Sequence, residues 1–256
     1  MDHGSWGGLA WQNECRGWLE LGRHNFGSAA FRVERTGSWL CAGQPGSLDH
    51  QWLLCEEKPA RAALAELLPL ARLGRATLRL PPLSDPAPWR EALRAEGFRP
   101  LGSDVLMACL LGGQKAPELP PGLRIGPTSS ALERQEALEV VRLVFGDPPG
   151  LPEFFSPPGL VEQYALRVHG RAVAAAAIWP FAEVAGIFSV ATLPKWRNQG
   201  LAHLLLGTML AEAQARFPLA VLRTYDDLVP MYGRLGFKSV GRSERWSYPQ
   251  DPYHTP

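Results

Sequence analysis

The 256-residue sequence has almost no excess of charge: 26 Lys and Arg against 25 Asp and Glu leave a formal net charge of +1. A balance this even excludes bulk electrostatic attraction to nucleic acid or an anionic membrane. A phosphorylated partner must then be held by local geometry. Cysteine is scarce. Cys15, Cys41, Cys55 and Cys109 all fall in the first half. No two stand at Cys-x-x-Cys spacing, and none has a histidine at a zinc-finger interval, so no metal site is expected. Isolated cysteines of this kind are expected to be small buried hydrophobes. Long apolar runs are also missing. None reaches the roughly 20 residues that span a bilayer, and the longest candidate, residues 172–190, is interrupted by Pro180 and Glu183. The opening Met1-Asp2-His3-Gly4-Ser5-Trp6 lacks a basic stretch followed by an apolar run. That predicts no signal peptide, and the chain reads as cytoplasmic.

What is present is an ordinary globular composition, 46% hydrophobic and 20% charged, in a chain long enough for two compact units. A Gly- and Pro-rich stretch over residues 112–122 predicts a linker at 114–122, with one domain over 1–113 and another over 123–256. In the first half, residues 31–35 and 51–55 read as strands, 58–73 as an amphipathic helix and 76–80 as a strand. Residues 89–96 then read as a helix ending at Gly97, and 104–111 as a closing strand. In the second half, a strand at 123–125 precedes a helix over 131–144. Strands follow at 165–168 and 172–179, turned at His169-Gly170, and at 186–193. Helices interleave with strands too regularly for an all-β fold; the class is α/β, mixed.

The informative segment is Ser189-Val190-Ala191-Thr192-Leu193-Pro194-Lys195-Trp196-Arg197-Asn198-Gln199-Gly200-Leu201-Ala202-His203. A buried strand ends at a proline, a basic polar loop follows, and an apolar helix begins at Leu201. The first turn of such a helix has free N–H groups and the positive end of the dipole. Gly200 lets the backbone come close to a bulky anion, and Ala202 keeps the next contact small. These are the parts of a main-chain pyrophosphate cradle. A Walker loop would need Gly-Lys-Ser/Thr before the helix, and a dinucleotide fingerprint three spaced glycines; neither is there. Downstream, residues 220–223 read as a strand, with Asp226 and Asp227 as candidate helix caps. Pro230 falls in the first turn of a short helix that carries Tyr232 and closes at Gly236-Phe237. Without context, Tyr232 reads first as a half-buried core tyrosine with a satisfied hydroxyl.

Taken together, Val190-Ala191-Thr192-x-Pro194-x-x-Arg197-Asn198-Gln199-Gly200-Leu201-Ala202 and Tyr232-Gly233-Arg234-Leu235-Gly236-Phe237 resemble the two signature blocks of the GCN5-related N-acetyltransferase (GNAT) family. The resemblance covers about residues 123–248. It implies a mixed central sheet, splayed open around the cofactor and flanked by helices, and acetyl-CoA as co-substrate without a metal. By the same resemblance, the backbone of Val190, Ala191 and Thr192 lies against the pantetheine arm and thioester. Asn198, Gln199, Gly200, Leu201, Ala202 and His203 hold the pyrophosphate, with Arg197 at the mouth of the loop. Tyr232 stands where the family keeps its proton donor to the departing thiolate. One position departs from the pattern: many relatives touch the cofactor with asparagine seven residues before that tyrosine, and Tyr225 stands here. The first half closes in family style, with Trp89 to Gly97-Phe98 and then Asp104-Val105-Leu106-Met107. It looks like a degenerate copy, so the two halves are expected to be similar, with no cradle where Leu80-Pro81-Pro82-Leu83-Ser84-Asp85 leads into its last helix.

The expected activity is direct transfer of an acetyl group to a primary amine of a small molecule or peptide. Glu183, in the turn before the central strand, is the first candidate for a base acting through water, and its other reading is a solvated turn carboxylate. Asp147 and Glu153 are further candidates; His169 and His203 read as surface or phosphate-adjacent groups. Trp179, Phe181, Phe154 and Phe155 hint at an apolar or aromatic acceptor. Nucleic acid and membrane are not expected as partners, and the chain is expected to be a monomer or homodimer. The rival function is a catalytically inactive coenzyme-binding sensor or interaction module.

Overall fold

The computed structural model describes residues 3–24, 32–43, 49–56, 58–71, 75–146 and 156–248. The chain divides into two compact units. The first comprises Met1–Leu106, Thr224–Asp226 and Val240–Pro256, the second Met107–Arg223 and Asp227–Ser239. The expected linker residues 114–122 fall in the second unit and have no regular structure. They are held there: Gln214 accepts from the backbone N–H of Gly113 and Gln114 at 2.9 and 3.0 Å, and donates to the Gln114 carbonyl at 2.7 Å.

The first half of the chain runs α1 His3–His24, β1 Arg32–Thr36, β2 Trp39–Gly43, β3 Asp49–Leu54, α2 Ala60–Ala71, β4 Arg75–Arg79, α3 Ala87–Ala95 and β5 Arg99–Leu110. Strands β1, β2 and β3 form an antiparallel meander, and β3 then pairs parallel with β4. The other edge of β4 takes residues 245–248 in antiparallel pairing, so the chain's last strand is part of this unit. Its core is aromatic. Trp39, Trp52, Trp89, Phe98 and Trp246 are buried with Leu64, Leu67, Leu78 and Leu93. Trp39 also donates its indole N–H to the Ala63 carbonyl at 2.8 Å, which satisfies the one polar atom it buries. Helix α1 was not expected, and neither was β2. The glycines of α1 lower its helix propensity, but the close packing needs one of them: a Cβ on Gly7 would lie 2.5 Å from the Val240 carbonyl oxygen.

The second half runs β6 Leu123–Pro127, α4 Ala131–Phe145, β7 Glu162–Val168, β8 Arg171–Phe181, β9 Val184–Thr192, α5 Leu201–Ala213, β10 Leu219–Thr224, α6 Val229–Gly233 and β11 Lys238–Tyr248. Strands β6 to β9 are successive antiparallel neighbours and β10 joins β9 in parallel, which gives a mixed sheet. The order in this unit is β5-β10-β9-β8-β7-β6, β5 contributing its last residues. Alanine dominates the strands beneath α4: Ala165, Ala172, Ala175 and Ala191 meet Ala137, Val140 and Val141 of the helix. Small side chains on the sheet bring the helix close without voids. At the α4 N-terminus Ser130 Oγ accepts from the Glu133 N–H, and Glu133 reaches back to accept from the Ser129 N–H at 2.8 Å, a return bond one residue earlier than in a capping box.

Candidate active site

Strands β9 and β10 pair only at Val184, Ala185 and Gly186, opposite Leu219, Ala220 and Val221. Beyond Gly186 the two strands diverge, so residues 187–192 turn one edge of β9 toward the opening. The same stretch carries an irregularity on its other edge. Ala177 pairs with Phe188 and Ala175 with Ala191, leaving Ser189 and Val190 opposite the single residue Ala176. That is a β-bulge, and Ser189 at its start has φ of +52°. Side chains other than glycine rarely adopt that conformation, which costs on the order of 1–3 kcal/mol and collects at functional sites. Nothing in the residue type at position 189 signals it, so this feature was missed from the sequence.

The divergence leads into the predicted cradle. After Thr192 the chain makes a 3-10 turn at Pro194–Trp196, with the Trp196 N–H donating to the Leu193 carbonyl at 2.8 Å. Arg197 Nε donates to the Thr192 carbonyl at 3.1 Å, tying the loop back to the strand end. Gln199 Nε2 donates to the Lys195 carbonyl at 3.3 Å. Asn198 has φ of +62° and Gly200 φ of +74°; successive amides arranged around such left-handed residues form anion-binding concavities. Gly200 is the N-cap of α5, no side chain caps the helix, and the first intrahelical bond runs from the Leu204 N–H to the Gly200 carbonyl. The N–H groups of Leu201, Ala202 and His203 therefore have no acceptor within the helix. A Cβ built on Gly200 meets no protein atom within 4 Å, so the space in front of the loop is open. This observation fits a bulky diphosphate held on main-chain N–H groups. Leu201 is buried, Ala202 half-buried and His203 exposed, which anchors the helix start while its polar edge faces out.

Tyr232 lies on α6, buried at 5% exposure, its ring edge-on to Phe237 at 6.0 Å. The Phe237 N–H returns to the Tyr232 carbonyl at 3.2 Å, closing the helix around the left-handed Gly236. The expected caps of this helix are absent. Asp226 and Asp227 form a 3-10 turn, the N-cap Leu228 has no side-chain bond, and the Asp226 carboxylate pairs with Arg242 in the first unit. Tyr225 also belongs to the first unit; it is exposed, with the Arg245 guanidinium 5.7 Å over its ring.

The structure therefore brings Val190, Ala191, Thr192, Arg197, Asn198, Gln199, Gly200, Leu201, Ala202 and His203 together in one unit, along a single strand–loop–helix path. Glu183 is not part of that group. It is exposed in the turn at the start of β9, seven residues before Val190, or about 20 Å along an extended strand. Asp147, Glu153, Phe154 and Phe155 lie outside the described residues.

The corresponding place in the first unit is closed. Strand β3 stays paired with β4 over five positions, from Asp49↔Arg75 to Leu53↔Arg79. The carbonyl of Leu54 at its end accepts the Trp11 indole N–H at 2.8 Å. In sequence, Cys55-Glu56-Glu57-Lys58-Pro59 separates β3 from α2, with acidic residues where the cradle has Gly200 and Ala202. By order of elements this connection, rather than residues 80–85, is where a cradle is missing.

Comparison with known proteins agrees with this geometry. A family model described as "Acetyltransferase (GNAT) family" matches residues 136–237, which holds the diverging strands, the loop, α5 and Tyr232. Residues 136–237 belong to the GNAT family. No curated protein matches the chain by sequence. Among solved structures, a GCN5-related N-acetyltransferase from Kribbella flavida is similar over 96% of each chain, at 21% identity and a TM-score of 0.70. Another from Sphaerobacter thermophilus is similar over 90% of this chain and 84% of its own, at 16% identity and a TM-score of 0.66. A tandem GNAT protein from the clavulanic acid biosynthesis pathway is similar over 90% and 87%, at 15% identity and a TM-score of 0.62. At these identities the likeness is one of fold, and it extends over both halves of the chain. The GNAT fold seen here is mixed α/β, its sheet open and flanked by helices. No described helix is long and apolar enough to cross a membrane.

Proposed function

We propose that the chain is an acetyl-CoA-dependent N-acetyltransferase acting on a primary amine, with its active site in the second unit. The observation that carries this reading is the parting of β9 from β10 directly ahead of a helix whose first amides are free. Acetyl-CoA as co-substrate supplies an activated acyl thioester. The chain's own residues hold, orient and polarise it. The N–H groups of Leu201, Ala202 and His203, with the Arg197–Asn198–Gln199–Gly200 loop, bind the diphosphate. The open edge of β9 at Val190, Ala191 and Thr192 hydrogen-bonds the pantetheine arm and directs a main-chain N–H at the thioester oxygen, where negative charge develops during attack. Tyr232 gives its proton to the departing thiolate. Fixing thioester and amine side by side contributes much of the remaining acceleration. Proton removal from the amine falls to water or to a group other than Glu183, given the position of that residue.

The first half is a GNAT-like unit without a cofactor cleft of its own. Its order of elements repeats that of the second half, and its zipped β3–β4 pair leaves no gap between the strands. A cytoplasmic setting suits an enzyme that uses acetyl-CoA.

The test is release of free thiol from acetyl-CoA in the presence of a panel of amines, with wild-type protein and Tyr232→Phe. The expected result is amine-dependent release by wild type and a fall in kcat of roughly a hundred- to ten-thousand-fold in the variant. Coenzyme binding without turnover on any amine would instead support the sensor reading. Unchanged kcat in Tyr232→Phe would remove the proton-donor role.

A further inference from the structure

Two of the four cysteines, far apart in sequence, meet in the first unit. Cys15 lies on the buried face of α1, one turn after Trp11, and both side chains reach the carbonyl of Leu54, at 4.0 and 2.8 Å. Cys55 is the next residue along. Its backbone N–H is fixed to the Ser38 carbonyl at 2.8 Å, and its Sγ lies 3.5 Å from the Leu53 carbonyl. The two thiols thus stand at consecutive carbonyls at the end of β3, Cys15 Sγ at that of Leu54 and Cys55 Sγ at that of Leu53. Their exposures differ: Cys15 is 5% exposed and Cys55 half-exposed. While Cys55 is a free thiol, its neighbourhood, and then burial, push the Cys15 thiol above the usual thiol range. The remaining pair is not comparable, since Cys109 sits in the second unit against Leu235 and Gln114.

We propose that Cys15 and Cys55 are a reversible disulfide site, in which Cys55 reacts first with a low-molecular-weight disulfide and Cys15 resolves the product. The thiolate of Cys55 attacks one sulfur of the small disulfide, forming a mixed disulfide and releasing one small thiol. With Cys55 taken up in the mixed disulfide, its raising effect on Cys15 is gone, and Cys15 loses its proton to solvent and attacks Cys55 Sγ. The protein disulfide forms and the second small thiol leaves. Two protein thiols are oxidised by two electrons, and one small disulfide is reduced to two thiols. The division of labour follows from exposure: of the two, Cys55 is the one solvent reaches, and Cys15 is buried beside it at the same strand end. The bond would tie α1 to the end of β3, a place that spacing in the sequence does not reveal. It is independent of the transferase reading, since both residues lie outside the second unit.

The experiment treats the full-length native protein with oxidised glutathione, quenches it, counts thiols after denaturation, and maps an unreduced digest by mass spectrometry. The expected result is a fall from four thiols to two, one peptide joining Cys15 to Cys55, and reversal by a dithiol reductant. The crosslinked protein should also melt several degrees higher, because the bond closes a long loop in the unfolded chain. Cys15→Ser should stop at glutathione on Cys55, and Cys55→Ser should leave Cys15 free. Circular dichroism of each variant checks that it is folded, and the wild-type map stands without them. Glutathione retained on Cys55 in wild type, a different pairing, or four unreacted thiols would overturn the proposal.

Discussion

Replacing Gly200 tests the cradle at its narrowest point. The residue holds φ +74° and ψ 2° at the head of α5, and a Cβ there would project into space that no protein atom fills. Alanine is disfavoured in that left-handed conformation by about 1–2 kcal/mol. For a unit of this size that lowers Tm by roughly 2–4 °C per kcal/mol. The added methyl group would also stand between the diphosphate and the amides of Leu201, Ala202 and His203. Loss of one hydrogen bond to a charged group costs about 1.5–3 kcal/mol, which weakens Kd by roughly ten- to more than a hundred-fold. Gly200→Asn separates the two effects. Asparagine tolerates the left-handed region better than alanine does, yet fills the same space. Calorimetry with coenzyme A and thermal melts on both variants should show weak binding in each, with a clear drop in Tm for alanine alone. Wild-type affinity in both would refute the assignment of this loop.

Glu183→Gln should leave kcat/KM with the best amine unchanged, because the residue is solvated at the far end of β9; a tenfold loss would restore it as the base. Ser189→Val should lower Tm and turnover together, since a β-branched residue is strained at φ +52°; an unchanged melt would mean the bulge is not rigid. In the first unit, the hydrogen bond from Lys58, and then the Ser38 N–H, lower the Glu66 pKa from 4.5 to about 2. A depressed folded pKa stabilises above the unfolded value, so this contribution is present above about pH 4.5 and is lost as pH falls through about 2. Urea midpoints of wild type and Glu66→Gln should therefore differ most near neutral pH and converge in acid; a constant difference would contradict the pairing.

The second half was legible because its chemistry is written in local patterns. A strand ending at Pro194, a left-handed Gly200 and an apolar run from Leu201 specify the loop and helix through backbone conformation alone. Tyr232 was located for the same reason, between Pro230 and Gly236, which fix both ends of a short helix. What was missed depends on tertiary contact. Helix α1 contains Gly7 and Gly8, poor helix formers, and is made stable by Trp6, Trp11 and Leu21 packing inward. Asp226 has the residue type of a cap, but Arg242 competes for its carboxylate. Tyr225 stands at a cofactor position of the family pattern, yet its ring faces Arg245. The bulge at Ser189 arises from strand register, which no single residue announces. Glu183 was the candidate base because of its nearness in sequence to the central strand; extended backbone turns a short separation in sequence into a long one in space.

The central claim is that the backbone at the start of α5 grips a diphosphate. The most direct measurement is a proton–nitrogen correlation spectrum of the labelled protein, titrated with coenzyme A. The amide signals of Gly200, Leu201, Ala202 and His203 should shift saturably, and a pantetheine thioester lacking the diphosphate should leave them in place. If coenzyme A moves none of these signals, or moves only amides of the first unit, the claim is contradicted.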